Sequence, residues 1–260
     1  MNPIKAIVLT YDKYRSFTDH MILRYEKLWP DHPYLFQVPY QELSPTVHSN
    51  RVQYHQCPPD IKGTVLTLLD GLDDEEMIYW CIDDKYPIKL DTGKIEKIHK
   101  WLYAENKENI SGLLFCRCRG MLKKANLTGN KLLNGQGDVY LERKNYRQIW
   151  MHQYLKVKVI RHLFESFPDK IPLAITMDAF KKQIEKPKSH QVFVTSNNLA
   201  VFGESTSRGV ITKNCIKSMK LNNMSIPSWV LETTPHEIIM GNESQDKLPR
   251  FINRLIKRST

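Results

Sequence analysis

The sequence predicts an α/β protein: a mostly parallel sheet flanked by helices, in a single domain. Three observations carry that expectation. Short apolar, β-branched-rich runs recur at residues 5–10, 34–38, 77–82 and 112–116, each suited to a strand buried on both faces. Segments with helical apolar spacing stand between them, and that alternation builds βαβ units. Finally, the run Met77-Ile78-Tyr79-Trp80-Cys81-Ile82 stops on two adjacent carboxylates, Asp83 and Asp84. Ligands collect just beyond the carboxyl ends of strands in open α/β sheets.

Taken in order, Lys5-Ala6-Ile7-Val8-Leu9-Thr10 reads as the first strand, closed by the polar turn Tyr11-Asp12-Lys13. Residues 16–29 space Phe17, Met21, Leu23, Tyr25 and Leu28 as a helix, with Ser16 at the N-cap and Pro30 and Pro33 ending it. Residues 34–38 form a second strand. The Pro- and His-containing stretch 40–59 reads as loop. Residues 64–72 form a helix around Val65, Leu66, Leu68 and Leu69, and the strand ending at Asp83 follows, with Pro87 opposing its continuation as a regular ladder. Residues 94–103 place Ile95, Ile98 and Leu102 on one helical face before the strand at 112–116. The Asn-, Gly- and Lys-rich stretch 121–137 reads as loop, its part 129–137 as a mobile one able to close over an acceptor. Residues 148–164 read as one helix through Ile149, Leu155, Val159 and Leu163, and 191–194 as a late strand. Residues 248–258 form an amphipathic helix with a basic face of Lys247, Arg250, Arg254, Lys257 and Arg258.

Composition narrows the class. A chain of 260 residues with 41% hydrophobic content can build one sizeable core. A formal charge of +10 favours anionic partners, whether phosphorylated small molecules, anionic lipid or nucleic acid. The basic residues are scattered, which disfavours dedicated nucleic-acid binding. No run is long enough to span a bilayer. An N-terminus entering a strand directly and five irregularly spaced cysteines fit a cytoplasmic protein. Cys116 and Cys118 lack zinc-ligand spacing and read as packing residues.

Hard oxygen donors such as Asp83 and Asp84 suit Mg²⁺ or Mn²⁺ carrying phosphate oxygens. The plain alternative is an acidic turn at a strand end.

The order of these features resembles a GT-A-type nucleotide-sugar glycosyltransferase of the kind acting on bacterial surface polysaccharides. The resemblance is carried by Ala6-Ile7-Val8-Leu9-Thr10-Tyr11 as an opening strand and by Ile82-Asp83-Asp84 as an Asp-x-Asp-type motif in its Asp-Asp form. Gln148-Ile149-Trp150-Met151-His152-Gln153-Tyr154-Leu155 resembles a Trp-containing helix of such enzymes. It implies a donor-binding half at 1–120 and an acceptor-side half at 121–260. Asp84, supported by Asp83, would hold Mn²⁺ or Mg²⁺, with a later histidine open as a third ligand. Thr10, Tyr11, Asp12 and Arg15 would bind the nucleotide, Asp12 at the base and Arg15 at the diphosphate. Glu165 or Asp178 would be the base in an inverting transfer to a glycan or lipid-linked hydroxyl. The basic segment 247–260 would pack on the core or touch the inner face of a membrane. Tyr11-Asp12 stands where the family has Asn or a small polar residue, and no signature marks the base. A metal-dependent nucleotidyl or phosphoryl transferase remains the rival enzyme, and a basic nucleic-acid-binding module the rival without catalysis.

Overall fold

The computed structural model describes residues 3–43, 49–104, 109–116, 122–134, 136–169, 174–207, 209–230, 233–234 and 239–240. Its strands are β1 (Ile4–Leu9), β2 (Tyr34–Tyr40), β3 (Val52–Gln56), β4 (Met77–Ile82), β5 (Lys85–Leu90), β6 (Gly112–Leu114), β7 (Leu127–Leu133) and β8 (Val139–Arg143). They continue with β9 (Gln153–Lys156), β10 (Val192–Thr195), β11 (Ala200–Glu204), β12 (Thr206–Ser207), β13 (Val210–Thr212), β14 (Thr233–Thr234) and β15 (Ile239–Met240). The helices are α1 (Arg15–Leu28), α2 (Ile61–Leu68), α3 (Thr92–Ala104), α4 (Val157–Glu165), α5 (Ala174–Lys181) and α6 (Lys213–Leu221).

Nine strands form one mixed, mainly parallel sheet in the order β3-β2-β1-β4-β9-β6-β10-β8-β7. β1 pairs in parallel with β2 on one flank and with β4 on the other. The chain therefore winds outward from β1 in one direction and then reverses, and such a switch point opens a crevice beyond the carboxyl ends of β1 and β4. β9 inserts antiparallel between β4 and β6. β8 runs antiparallel to both β10 and β7. Two small sheets, β15-β11-β5 and β12-β13-β14, lie alongside.

Side-chain alternation along the strands divides the core into two layers. Ile78, Trp80 and Ile82 join Ile7 and Leu155 with Val65 of α2 and Leu163 of α4. Tyr79 and Cys81 join Ala6, Val8 and Phe36 with Phe17 and Met21 of α1 and Ile98 of α3. Trp80 is fully buried, and its indole N–H donates to the Ile149 carbonyl at 2.9 Å. Truncating so large a side chain costs about 3–5 kcal/mol.

Four sequence expectations are corrected. Residues 148–164 are not one helix: the helical part begins at Val157, and Gln153–Lys156 is a strand. The Gln153 amide donates to the carbonyls of Gln148, Ile149 and Met151, oxygens that a helix would reserve for its own amides. Gln148 itself sits at φ 64°. The stretch 121–137 contains the edge strand β7, whose glycine marks a bulge: Gly129 has φ 100° where the register shifts between Leu127 and Lys131. β3 is a second edge strand inside the expected loop 40–59, its half-exposed surface hiding the apolar signal. Ser16 is not an N-cap, because the 3-10 turn at residues 12–14 runs straight into α1 and offers no extended cap residue. Pro87 falls in the edge strand β5, and the ladder is irregular there as expected, with a register shift at Val201 and Phe202 opposite the missing N–H. The basic segment 247–260 and Arg117 to Arg119 lie outside the described residues. Among the described residues, no helix is long and apolar enough to cross a membrane.

Among the described residues five histidines are buried: His20, His32, His99, His152 and His190. Burial lowers each from the ordinary 6.5, to about 3 for His152 and to about 4 for the others. The unfolded chain takes up these protons near pH 6.5, so the stability they leave intact above that pH is lost as pH falls toward 4. Burial pushes Asp19 up to about 6 and Asp83 up to about 7, and their protonation returns part of it. The five histidines outnumber the two raised carboxylates, so the net effect is a loss of stability as pH falls from about 6.5 toward 4. Urea denaturation followed by circular dichroism is therefore expected to show stability falling steadily from about pH 6.5 to pH 4, and a stability unchanged across that window would contradict the assignment.

Candidate active site

β4 ends where the chain leaves the main sheet for β5. The Asp83 N–H makes the last rung, to the Leu9 carbonyl at 3.2 Å. Beyond it, Ser205 holds the turn by donating its N–H to the Asp84 carbonyl at 2.7 Å and its hydroxyl to the Asp83 carbonyl at 3.2 Å. On the other side His152 Nε2 donates to the Ile82 carbonyl at 2.9 Å. That fixes the tautomer, so His152 Nδ1 accepts from the Tyr25 hydroxyl at 2.6 Å, which accepts in turn from Tyr79 at 2.8 Å. The two carboxylates are thus set by backbone bonds on both flanks.

They open onto a cleft of about 630 Å³ at the switch point. Thr10, Tyr11 and Tyr14 line it after β1, Asp83, Asp84 and Lys85 line it after β4, and Gln148, Trp150 and Asp178 come from the second half of the chain. Thr10 donates its hydroxyl to Asp83 Oδ2 at 2.7 Å and accepts one from Thr18 at 2.7 Å. Burial pushes Asp83 up to about 7 despite that hydrogen bond, with the Asp84 charge adding to the rise. Asp84 Oδ2 lies 2.8 Å from the Lys85 ammonium, while its Oδ1 is buried without a partner among the described residues. Lys85 reaches Glu204 Oε1 at 3.4 Å as well. Burial alone would lower the Lys85 pKa, but the two carboxylates hold it above the ordinary value.

The turn before β9 forms another wall. Its three carbonyls clamped by Gln153 present Trp150, whose indole N–H donates to Asp178 Oδ1 at 2.7 Å. Lys181 pairs with the same carboxylate and stacks its ammonium 5.1 Å from the indole ring. Burial works to raise the Asp178 pKa, but Lys181 and Trp150 keep it below the ordinary carboxylate range.

Of the residues expected from sequence, Thr10, Tyr11, Asp83, Asp84 and Asp178 meet in this cleft. Asp12, Arg15 and Glu165 do not line it. Asp12 is buried, and its carboxylate accepts the N–H groups of Gln41, Glu42 and Leu43 at 2.8–3.2 Å. Burial opposes ionisation there, yet those donors and Arg15 hold its pKa below 3.8. Arg15 pairs with Asp12 at 3.3 Å, donates to the Pro39 carbonyl and lies over the Tyr54 ring. Both residues staple the loop after β1 to the end of β2. Glu165 closes α4 in solvent. Sequence reasoning missed Lys85, although it directly follows the two aspartates. It also missed Glu204, which reaches Lys85 only through the pairing of β11 with β5. No trio of His, Cys, Asp or Glu is gathered for a metal among the described residues, so a third protein ligand from a histidine finds no support. A pair of carboxylates with one unpartnered oxygen still fits a hard cation that keeps waters and shares phosphate oxygens.

No protein-family model matches the chain, and no curated protein matches it. Solved structures resemble it at low identity. A 2-C-methyl-D-erythritol 4-phosphate cytidylyltransferase from Thermus thermophilus aligns with a TM-score of 0.45 and 6% identity, over 85% of this chain and 100% of that one. The 4-diphosphocytidyl-2C-methyl-D-erythritol synthase of Anaerococcus prevotii aligns with a TM-score of 0.43 and 10% identity, over 85% and 96%. The galactosyltransferase LgtC, in complex with donor and acceptor sugar analogues, aligns with a TM-score of 0.36 and 11% identity, over 71% and 67%.

Removing the Asp12 carboxylate orphans three backbone donors. Asp12→Ala is expected to lower stability by about 2–4 kcal/mol in urea denaturation at pH 7. A change under about 0.5 kcal/mol would return Asp12 to the pool of ligand-binding residues.

Proposed function

We propose that this protein is a metal-dependent glycosyltransferase that moves a sugar from a nucleotide-diphosphate donor to a hydroxyl of a glycan or lipid-linked acceptor. The observation that carries this reading is the Asp83-Asp84 turn at the switch point. It places two carboxylates, one with an unpartnered buried oxygen, in the wall of a cleft of about 630 Å³, a volume suited to a nucleotide-sized ligand.

Asp83 and Asp84 would hold Mg²⁺ or Mn²⁺, which when bound supplies a Lewis acid at the diphosphate leaving group. The chain's own residues do the rest. Thr10 orients Asp83 through its hydroxyl. Tyr11, 46% exposed, and the half-buried Tyr14 offer ring faces to a nucleobase. Trp150 and Asp178 bound the space left for the sugar and its acceptor. Asp178, kept ionised at neutral pH, is the proposed base: it takes the acceptor proton as the new C–O bond forms and the bond to the diphosphate breaks, with inversion. Glu165 stands outside the cleft and is set aside for this role.

The same carboxylates would serve transfer at phosphorus, and the products tell the two apart. Purified protein is incubated with nucleotide-diphosphate sugars and, separately, with nucleoside triphosphates and sugar phosphates, with and without Mn²⁺, and the released phosphates are identified. Nucleoside diphosphate release is expected; pyrophosphate release from a nucleoside triphosphate would make the protein a nucleotidyl transferase instead. Asp84→Asn is expected to abolish the Mn²⁺-dependent rise in melting temperature that the bound nucleotide gives. Asp178→Asn should lower kcat by about 10²–10⁴ and Glu165→Gln should leave it within twofold or so. Steeply salt-dependent oligonucleotide binding without any nucleotide response would replace the reading with a nucleic-acid-binding module.

A further inference from the structure

We infer that Lys85 is a built-in phosphate anchor, its charge shared between Asp84 and Glu204 until a diphosphate enters the cleft. The inference deepens the nucleotide-diphosphate reading of this site and rests on it.

The first ground is charge. Among the described residues lining the cleft, Lys85 is the sole cation, set against Asp83, Asp84 and Asp178. A floor of that sign repels phosphate unless positive charge meets it. A divalent ion on the aspartates offsets part of the repulsion, and the ammonium beside them is placed to offset more.

The second ground is the cost of putting an ammonium there. Lys85 is only 5% exposed. Burying an ion pair stabilises a protein little, since a well-packed apolar pair often does as well. Lys85 is nevertheless held by two carboxylates, Asp84 Oδ2 at 2.8 Å and Glu204 Oε1 at 3.4 Å. Glu204 stands directly across the β5–β11 ladder from it, so the ammonium is positioned by the sheet rather than by a flexible loop.

The third ground is valence. An ammonium carries three N–H donors and no acceptor. Two are met by Asp84 and Glu204, and the third has no partner among the described residues. A phosphate oxygen would satisfy it with a charge-assisted bond. Drawing the ammonium toward phosphate also loosens its hold on Asp84 Oδ2, leaving both Asp84 oxygens for the cation. Glu204 is then a positioning residue, which fixes Lys85 and tempers its charge.

Inorganic pyrophosphate in EDTA is the probe, titrated calorimetrically into the full chain at low salt. Wild type is expected to bind it, Lys85→Met to bind it at least about tenfold more weakly, and Glu204→Gln to bind it severalfold more tightly. A merely structural pair predicts the opposite for Glu204→Gln: a lower melting temperature with affinity unchanged. Circular dichroism checks the fold of Lys85→Met; should that variant not fold, Lys85→Arg, which keeps the charge and is expected to retain binding, and Glu204→Gln carry the test. Equal affinities in wild type and Glu204→Gln, or no binding by wild type at about 10 mM pyrophosphate, would overturn the proposal. Failure of the nucleotide reading looks different: no nucleotide stabilises wild type with or without Mn²⁺, while pyrophosphate binding through Lys85 persists.

Discussion

The hydrogen bond from His152 to the Ile82 carbonyl fixes where β4 stops, and the cleft is built outward from that point. A strand buried on both faces has no reason of its own to end after six residues. This one ends because its last carbonyl is taken by a side chain of β9's approach and its next amide closes the ladder on Leu9. The chain is then free to turn through Asp83 and Asp84 and enter a different sheet, where Ser205 receives it. The imidazole must be neutral to accept from Tyr25 while it donates to Ile82, and burial keeps it so. Burial of one histidine thus determines the direction in which two carboxylates point.

The electrostatics of the cleft follow from the same crossing. Because β5 pairs with β11, Lys85 and Glu204 are brought together across about 120 positions of sequence. The result is an acidic pocket with one embedded cation rather than a plain acidic turn. On the other wall Asp178 is stabilised as an anion by Lys181 and Trp150. Two carboxylates of one cleft are therefore pushed apart in basicity, Asp83 upward by burial and Asp178 downward by its partners, which is how environment assigns different tasks to identical groups.

The main parallel strands were legible because each is apolar on both faces and ends in polar turn residues, a pattern that only a covered sheet produces. Asp83 and Asp84 were legible for a related reason: carboxylates closing such a strand are conspicuous. β9 was not, since Gln153-Tyr154-Leu155-Lys156 runs into α4 without a break in apolar content, and four residues are too few for period to separate strand from helix. The edges β3 and β7 were hidden by exposure, which makes edge strands resemble loops. Asp12 shows a further limit. An aspartate following a strand looks the same in sequence whether it faces a ligand or gathers the amides of Gln41, Glu42 and Leu43. Lys85 and Glu204 become a pair only in three dimensions, and no local pattern announces it.

The insertion of β9 between β4 and β6 has a consequence for the chain while it is being made. β4 carries Tyr79, Trp80 and Cys81 and is complete at residue 82, yet its second neighbour is not synthesised until residue 156. At ribosomal speeds that interval is roughly four to fifteen seconds. Throughout it, the emerging β1–β4 block presents an apolar strand with one unpaired flank, the kind of edge that recruits other chains. The nascent chain is therefore most open to edge-to-edge association in the interval before Gln153 to Lys156 arrive.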